Sequence, residues 1–128
     1  MELRVRREAW EGMWRDARAQ APREAVGLLV GRGVAEEAWP LPNASDRPQA
    51  HYRAEPLALL TALRRADELG LEVLALYHSH PAGAPLPSAA DEAEASWRVP
   101  YVILGLPEGQ ARAFLLPQGD EVKIRVEP

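Results

Sequence analysis

The sequence predicts an α/β domain in which a mixed β-sheet is flanked by helices. Short apolar runs bounded by glycine or proline alternate along the chain with longer segments whose apolar residues recur at helical spacing. The 128 residues, of which 47% are hydrophobic, are enough to form one core. They contain no repeat, low-complexity tract or linker. We therefore expect residues 1–128 to form a single domain.

The first part of the chain predicts a strand, a helix, a hairpin and a further strand. Alternating apolar and charged residues predict a short edge strand at residues 1–5, and apolar residues at helical spacing predict a helix over residues 6–20. Two apolar runs, at residues 24–31 and 34–41, flank a glycine-containing turn and predict paired strands. Residues 49–55 predict one more strand.

The rest of the chain predicts two helices and four strands. The first of these two helices begins at Pro56 and stops at Gly70. Its buried stripe is expected to consist of four leucines, Leu57, Leu60, Leu63 and Leu69. Ser88 can cap the second helix, which is expected to run to about Trp97. The strands are expected at residues 71–77, 101–106, 111–116 and 121–127, and the last of them closes the sheet.

Composition excludes several classes of function. The formal charge of −4, from 19 acidic and 15 basic residues, argues against a nucleic-acid partner. The absence of cysteine excludes disulfides, thiolate metal sites and cysteine nucleophiles. The charged N-terminus is not a secretory signal, and no apolar stretch is long enough to span a membrane. We expect a cytoplasmic protein without a membrane partner.

Two of the three histidines lie together at the end of a predicted strand. His78 and His80 are two residues apart, so on an extended chain their side chains point to the same side. Ser88 and Asp91 are three residues apart, so they share a face in the first turn of the next helix. Two imidazoles and one carboxylate leave one tetrahedral position for water, which is the arrangement of a catalytic zinc site.

Each of these features also has a structural explanation. A His-x-His pair is common in surface turns, and Ser88 followed by Asp91 fits a capping box. Glu24, at the entrance of an apolar strand, is either an ordinary strand-end charge or a general base, and periodicity does not choose between them. Together, at one strand–loop–helix junction, the residues favour a metal site.

The stretches PREAVGLLVG and ALYHSHPAGAPLPSAAD together resemble the JAMM, or MPN-plus (Mov34/JAB), zinc metalloprotease family. The family signature is a glutamate on an early strand, then His-x-His-Pro, then a serine and an aspartate at fixed spacing. Glu24, His78, His80, Ser88 and Asp91 occupy these positions without a gap. The order of elements agrees over nearly the whole chain. The chain has no obvious insertions, and in this it resembles the compact prokaryotic members of the family.

The resemblance implies a fold similar to that of cytidine deaminases and one Zn²⁺ per chain. It implies that His78, His80 and Asp91 hold the metal. It also implies that Glu24 is the general base and that Ser88 donates a hydrogen bond to the oxyanion. Deaminase chemistry itself is not expected, because such sites use cysteine ligands.

The resemblance further implies an (iso)peptidase that cuts after the C-terminal Gly-Gly of a ubiquitin-like or sulfur-carrier protein. Two alternatives stay open: a non-catalytic zinc-containing module that binds such proteins, and a zinc hydrolase of a small amide. A homodimer is also left open. Ser79 faces away from its histidine neighbours and is assigned no catalytic role, and His51 is expected to be structural or a residue of the cleft wall.

Overall fold

The computed structural model describes all 128 residues, from Met1 to Pro128. The predicted mixed α/β organisation is confirmed, with seven strands and three helices. In chain order these are β1 (Glu2–Arg6), α1 (Arg7–Gln20), β2 (Val26–Gly31), β3 (Ala35–Leu41), α2 (Pro56–Glu68), β4 (Glu72–His80), α3 (Ala89–Ala93), β5 (Tyr101–Gly105), β6 (Gln110–Leu115) and β7 (Asp120–Glu127). None of the helices has the length and apolar character needed to cross a membrane.

The sheet closes on itself into a barrel with the strand order β1-β3-β2-β4-β5-β6-β7. β1 pairs in parallel with β7 along its whole length and meets β3 where Val5 lies opposite Ala35. The predicted edge position of β1 is therefore wrong, because both sides of this strand have a partner. The sequence-based likeness to cytidine deaminases stays a prediction.

The main core lies between α1 and the sheet. All seven strands contribute buried residues to it, and α1 contributes Ala9, Met13, Trp14 and Ala17. Ala75 and Tyr77 of β4 face this core. Because side chains alternate along a strand, Leu76 and His78 point to the opposite face. The predicted pair of histidines therefore lies on the face of β4 away from α1.

The predicted leucine stripe of α2 is wrong. Three of the four leucines are at least 42% exposed, namely Leu57, Leu60 and Leu69. The side of α2 that is turned inward carries Leu59, Leu63 and Ala66, of which Ala66 is buried. These residues are spaced by four and three positions, which keeps them on one face, whereas repeated steps of three rotate around the helix.

Residues 49–55 form a loop rather than the predicted strand, with a single bridge between Asn43 and Ala54. The Asn43 side chain satisfies backbone groups that a neighbouring strand would otherwise bind. Its amide nitrogen donates to the carbonyl of His51 at 3.0 Å, and its oxygen accepts from the N–H of Arg53 at 3.0 Å. This asparagine therefore sets the course of the loop.

α3 is shorter than predicted, because it ends at Ala93 and not near Trp97. The Tyr101 hydroxyl oxygen accepts hydrogen bonds from the backbone N–H groups of Ser96 and Trp97, at 3.1 and 3.0 Å. These amides are thereby satisfied outside a helix. The predicted N-terminus is confirmed, since Ser88 is the N-cap residue of α3.

Candidate active site

Strand pairing brings Glu24 to the two histidines, although His78 follows it by 54 residues. β2 runs antiparallel to β4, and Val26 lies directly opposite His78. Two residues before Val26 and two residues after His78, the same antiparallel register places Glu24 level with His80. The Glu24 backbone is fixed on both sides, because its N–H donates to the carbonyl of Pro48 at 2.6 Å and its carbonyl accepts from the Asn43 side chain at 3.0 Å.

The side chains of His78, His80 and Asp91 converge on one point. Oδ2 of Asp91 lies 3.1 Å from Nε2 of His78 and 3.1 Å from Nε2 of His80. His78 and Asp91 are only 1% and 6% exposed. A buried carboxylate oxygen shared by two imidazoles is therefore the geometric centre of this cluster.

The first turn of α3 orients Asp91. Oγ of Ser88 accepts from the N–H of Asp91 at 3.0 Å, and Oδ2 of Asp91 accepts from the N–H of Ser88 at 2.9 Å. This reciprocal capping box confirms the capping interpretation of the sequence. It also aims the carboxylate at the histidines, so the structural explanation and the metal-site explanation apply to the same residues.

The proline-rich loop before α3 is packed against β4 and β5. The carbonyl of Ala84 lies 2.9 Å from Nδ1 of His80. Pro85 lies against Gly105, where an added Cβ would come within 2.6 Å of the proline ring. Only glycine at this position of β5 leaves room for such a close approach.

Burial and mutual contacts move the pKa values of the cluster in different directions. Burial lowers the pKa of His78. Burial acts to raise the pKa of Asp91, but hydrogen bonds with His78 and His80 hold it well below its usual range. Burial acts to lower the pKa of His80, yet its contacts with Asp91 and the Ala84 carbonyl raise it overall. Burial raises the pKa of Glu24 to about 7, with His80 opposing and Asp91 reinforcing this effect.

The donor set fits a divalent cation. Ligand atoms of Glu24, His78 and His80 all lie within 4.8 Å of one another, and Asp91 touches both histidines from its own side. Oε1 of Glu24 is buried beside the histidines and has no hydrogen-bond partner. Imidazole nitrogens combined with carboxylate oxygens are ligands typical of zinc.

A cavity of about 230 Å³ opens next to the cluster. Asp91 lines it together with His51 and Tyr52, and its apolar lining includes Val26, Leu59 and Leu76. His51 therefore lies in a cleft wall, which is one of the two positions expected for it. The ring of Tyr52 stacks on the imidazole of His78 with 4.3 Å between ring centroids.

Sequence reasoning gave no role in this site to two residues that organise it, Tyr52 and Ser79. Ser79 is fully buried, and its Oγ accepts from the N–H of Ala25 at 2.7 Å. Strand alternation predicts that Ser79 faces away from its histidine neighbours. Its contact with the residue after Glu24 depends on the pairing of β2 with β4, and no local pattern encodes that pairing.

Residues 6–116 match the family described as prokaryotic homologs of the JAB domain. The chain belongs to this family. The match spans the segments that carry Glu24, the two histidines, Ser88 and Asp91. The resemblance to the JAMM/MPN family is thereby confirmed.

Two curated relatives of this JAB-domain chain carry functional names. A protein of Thermus thermophilus named "Probable TtuB-protein conjugate cleaving protease" is 54% identical over 107 residues, which cover 84% of this chain and 71% of the relative. A protein of Haloferax volcanii named "Desampylase" is 31% identical over 100 residues, which cover 76% of this chain and 72% of the relative. The family and these relatives place the chain among hydrolases.

The fold of the JAB-domain chain is also similar to that of a solved structure. A JAB1/MPN domain protein from Archaeoglobus fulgidus superposes with a TM-score of 0.67, covering 100% of this chain and 99% of that protein at 20% identity. At this level of identity the likeness supports the mixed α/β JAB/MPN fold alone.

Proposed function

We propose that residues 1–128 act as one JAMM domain with zinc-dependent peptidase or isopeptidase activity. Its substrate is the bond that follows the C-terminal Gly-Gly of a ubiquitin-like or sulfur-carrier protein. The observation that carries the proposal is the position of Oδ2 of Asp91, 3.1 Å from Nε2 of both His78 and His80, with Glu24 beside them. Two relatives named as a conjugate-cleaving protease and a desampylase support the substrate class.

His78, His80 and Asp91 would hold the zinc ion. Three protein ligands leave one coordination position open, as catalytic zinc sites require. When bound, zinc supplies Lewis acidity, which polarises a carbonyl group and makes water easier to deprotonate.

Glu24 is the proposed general base. Its Oε1 atom is buried and has no hydrogen-bond partner, and its pKa is raised to about 7. A carboxylate with these properties can take a proton from the attacking water at neutral pH. As the water oxygen bonds to the carbonyl carbon and the carbon–nitrogen bond breaks, Glu24 passes the proton to the leaving nitrogen.

Ser88 is the proposed donor to the carbonyl oxygen. Its Oγ accepts the N–H of Asp91, so its own hydroxyl proton stays free to be donated. A hydrogen bond to the developing oxyanion is stronger than one to the carbonyl, and it therefore lowers the barrier.

The burial of the cluster supports a tail of glycines as substrate. His78 is 1% exposed and Glu24 is 6% exposed, so a reacting carbonyl must enter closely to reach them. Glycine has no Cβ, which lets the backbone on either side of the bond approach such a site.

A second candidate function has its own supporting observation. The ligand atoms of Glu24 lie within 4.8 Å of those of both histidines, so Glu24 could serve as a fourth ligand. A closed four-ligand site is structural. The chain would then be a zinc-containing module that binds ubiquitin-like proteins without cleaving them.

The decisive experiment uses two matched conjugates of one ubiquitin-like protein joined to a lysine side chain. One conjugate ends in Gly-Gly and the other in Gly-Leu. Mass spectrometry after incubation with the zinc-loaded protein should find cleavage after the last glycine of the first conjugate only. Chelation should stop the reaction, and added zinc should restore it. Binding of the conjugate without cleavage would favour the closed site, and cleavage confined to small acyl amides would favour a small-amide hydrolase.

A further inference from the structure

The two histidines of the site are held in different ways. Nδ1 of His80 has a partner, the carbonyl of Ala84 at 2.9 Å. Nδ1 of His78 is buried and has no hydrogen-bond partner. Histidines that bind a metal almost always donate their second ring N–H to an oxygen, which fixes the orientation of the ring. Another contact must therefore fix the His78 ring.

Tyr52 makes that contact. The Tyr52 and His78 rings are nearly parallel, with an interplanar angle of 23° and 4.3 Å between their centroids. A flat ring at this distance limits rotation of the imidazole about its bond to Cβ. The stack therefore restrains the same motion that the hydrogen bond to Ala84 restrains for His80.

Tyr52 is itself held from both sides. The Asn43 side chain donates to the carbonyl of His51 and accepts from the N–H of Arg53, each at 3.0 Å, so it clamps the two neighbours of Tyr52. The ring of His51 stacks on that of Tyr52 with 6.4 Å between the ring centroids. Nε2 of His51 lies 2.8 and 2.9 Å from the carboxylate oxygens of Glu94, the residue that follows α3.

We infer that Tyr52 is the positioning residue for His78, and that its ring replaces the hydrogen bond that Nδ1 of this histidine lacks. This inference rests on the proposed zinc site. The Asn43 clamp and the His51–Glu94 contact keep Tyr52 in place, so the loop and the end of α3 together support a metal ligand on β4. Tyr52 acts through His78 and does not itself bind the metal.

The test measures zinc affinity directly, by competition with a chromophoric chelator. Tyr52→Leu should weaken zinc binding by about 10–100-fold, the usual effect of losing an outer contact of a metal ligand. Tyr52→Phe keeps the ring and should bind zinc within about twofold of the wild type. In cobalt-substituted protein, Tyr52→Phe should keep the wild-type visible spectrum and Tyr52→Leu should change it.

Glu94 provides a second pair of variants if Tyr52→Leu does not fold. Glu94→Gln keeps an acceptor for His51 and Glu94→Ala removes it, while both lose the same charge. Glu94→Ala should bind zinc about two- to fivefold more weakly than Glu94→Gln, as expected for one partly exposed polar contact.

The outcomes separate this inference from the proposed function. A Tyr52→Leu protein with wild-type affinity and cobalt spectrum would overturn the role of Tyr52 and leave the zinc site intact. Tyr52→Phe losing as much affinity as Tyr52→Leu would also overturn it, because the hydroxyl and not the stacked ring would then matter. If Tyr52→Leu does not fold, equal zinc affinities of the two Glu94 variants would overturn the role of Tyr52. A wild-type protein that binds no zinc would overturn both proposals.

Discussion

Ala25 and Ser79 exchange two hydrogen bonds between the segment that carries Glu24 and the strand that carries both histidines. The N–H of Ala25 donates to Oγ of Ser79 at 2.7 Å, and the N–H of Ser79 donates to the carbonyl of Ala25 at 3.1 Å. Because Ser79 separates His78 from His80, this pair sets the distance between the proposed base and the proposed metal ligands.

Ser79→Ala should impair catalysis more than substrate binding. It leaves the N–H of Ala25 buried without its side-chain acceptor, which should cost about 1–3 kcal/mol in the free energy of unfolding. The looser Glu24 segment should lower kcat, with KM nearly unchanged. Ser79→Thr is the control, because it retains the oxygen and should retain kcat even if its extra methyl group costs stability. A Ser79→Ala protein with wild-type kcat would show that the pair is structural only.

The three proposed ligands should each be needed for metal binding. Elemental analysis of the wild type should find one zinc per chain, and His78→Ala, His80→Ala and Asp91→Ala should each lose most of it. Because an imidazole must be neutral to bind a metal, zinc affinity should weaken as the pH falls to about 6 and below. Because the pKa of His80 is raised, protons compete with zinc for this imidazole at a higher pH than they would at an ordinary histidine. Full zinc retention by all three variants would exclude this ligand set.

Four residues of the proposed site could be predicted from sequence because their relative positions depend on local geometry. His78 and His80 share a side of a strand, and Ser88 and Asp91 share the first turn of a helix. Both relationships depend only on residue spacing. The position of Glu24 beside them depends on the pairing of β2 with β4 and was reached through the family signature, not through periodicity.

Two features that the sequence did not predict depend on contacts with residues outside the local segment. β1 closes the barrel by pairing with β7, from the opposite end of the chain. The course of residues 49–55 depends on the single side chain of Asn43. In both cases the local hydrophobic pattern is that of an ordinary strand, and a distant partner decides the outcome.

Ser88 should have two separable functions. Ser88→Ala removes the cap of α3 and should lower the free energy of unfolding by about 1 kcal/mol. It also removes the proposed donor to the oxyanion and should lower kcat by about 10²–10³-fold. Ser88→Asp can cap the helix without donating a proton, so it should keep more stability than Ser88→Ala but not recover kcat. Cleavage by Ser88→Asp at the wild-type rate would leave capping as the only function of this residue.

The stability of the metal-free protein should carry a pH signature of Glu24. The pKa of this carboxyl is about 7 in the folded protein against an ordinary value of 4.5. Between these values the folded state holds a proton that the unfolded state has released, so the contribution of Glu24 to stability falls as the pH rises. Urea unfolding with chelator present should therefore show the stability of wild type relative to Glu24→Gln decreasing from about pH 5 to about pH 8. If the free energy of unfolding of the wild type minus that of Glu24→Gln stays constant or increases over this range, the Glu24 carboxyl is not held in its neutral form.

Glu24→Gln also separates the proposed enzyme from the closed, structural zinc site. The amide has the size of the carboxyl group, and the backbone contacts of Glu24 with Pro48 and Asn43 do not involve the side chain that is changed. If Glu24 is the general base, the variant should fold, retain one zinc and bind the Gly-Gly conjugate, while cleavage slows by at least about 10²–10⁴-fold. Elemental analysis, a binding isotherm and single-turnover cleavage would be measured on the same preparation. Loss of zinc together with loss of cleavage would instead identify Glu24 as a fourth ligand, and wild-type cleavage by the variant would remove Glu24 from the mechanism.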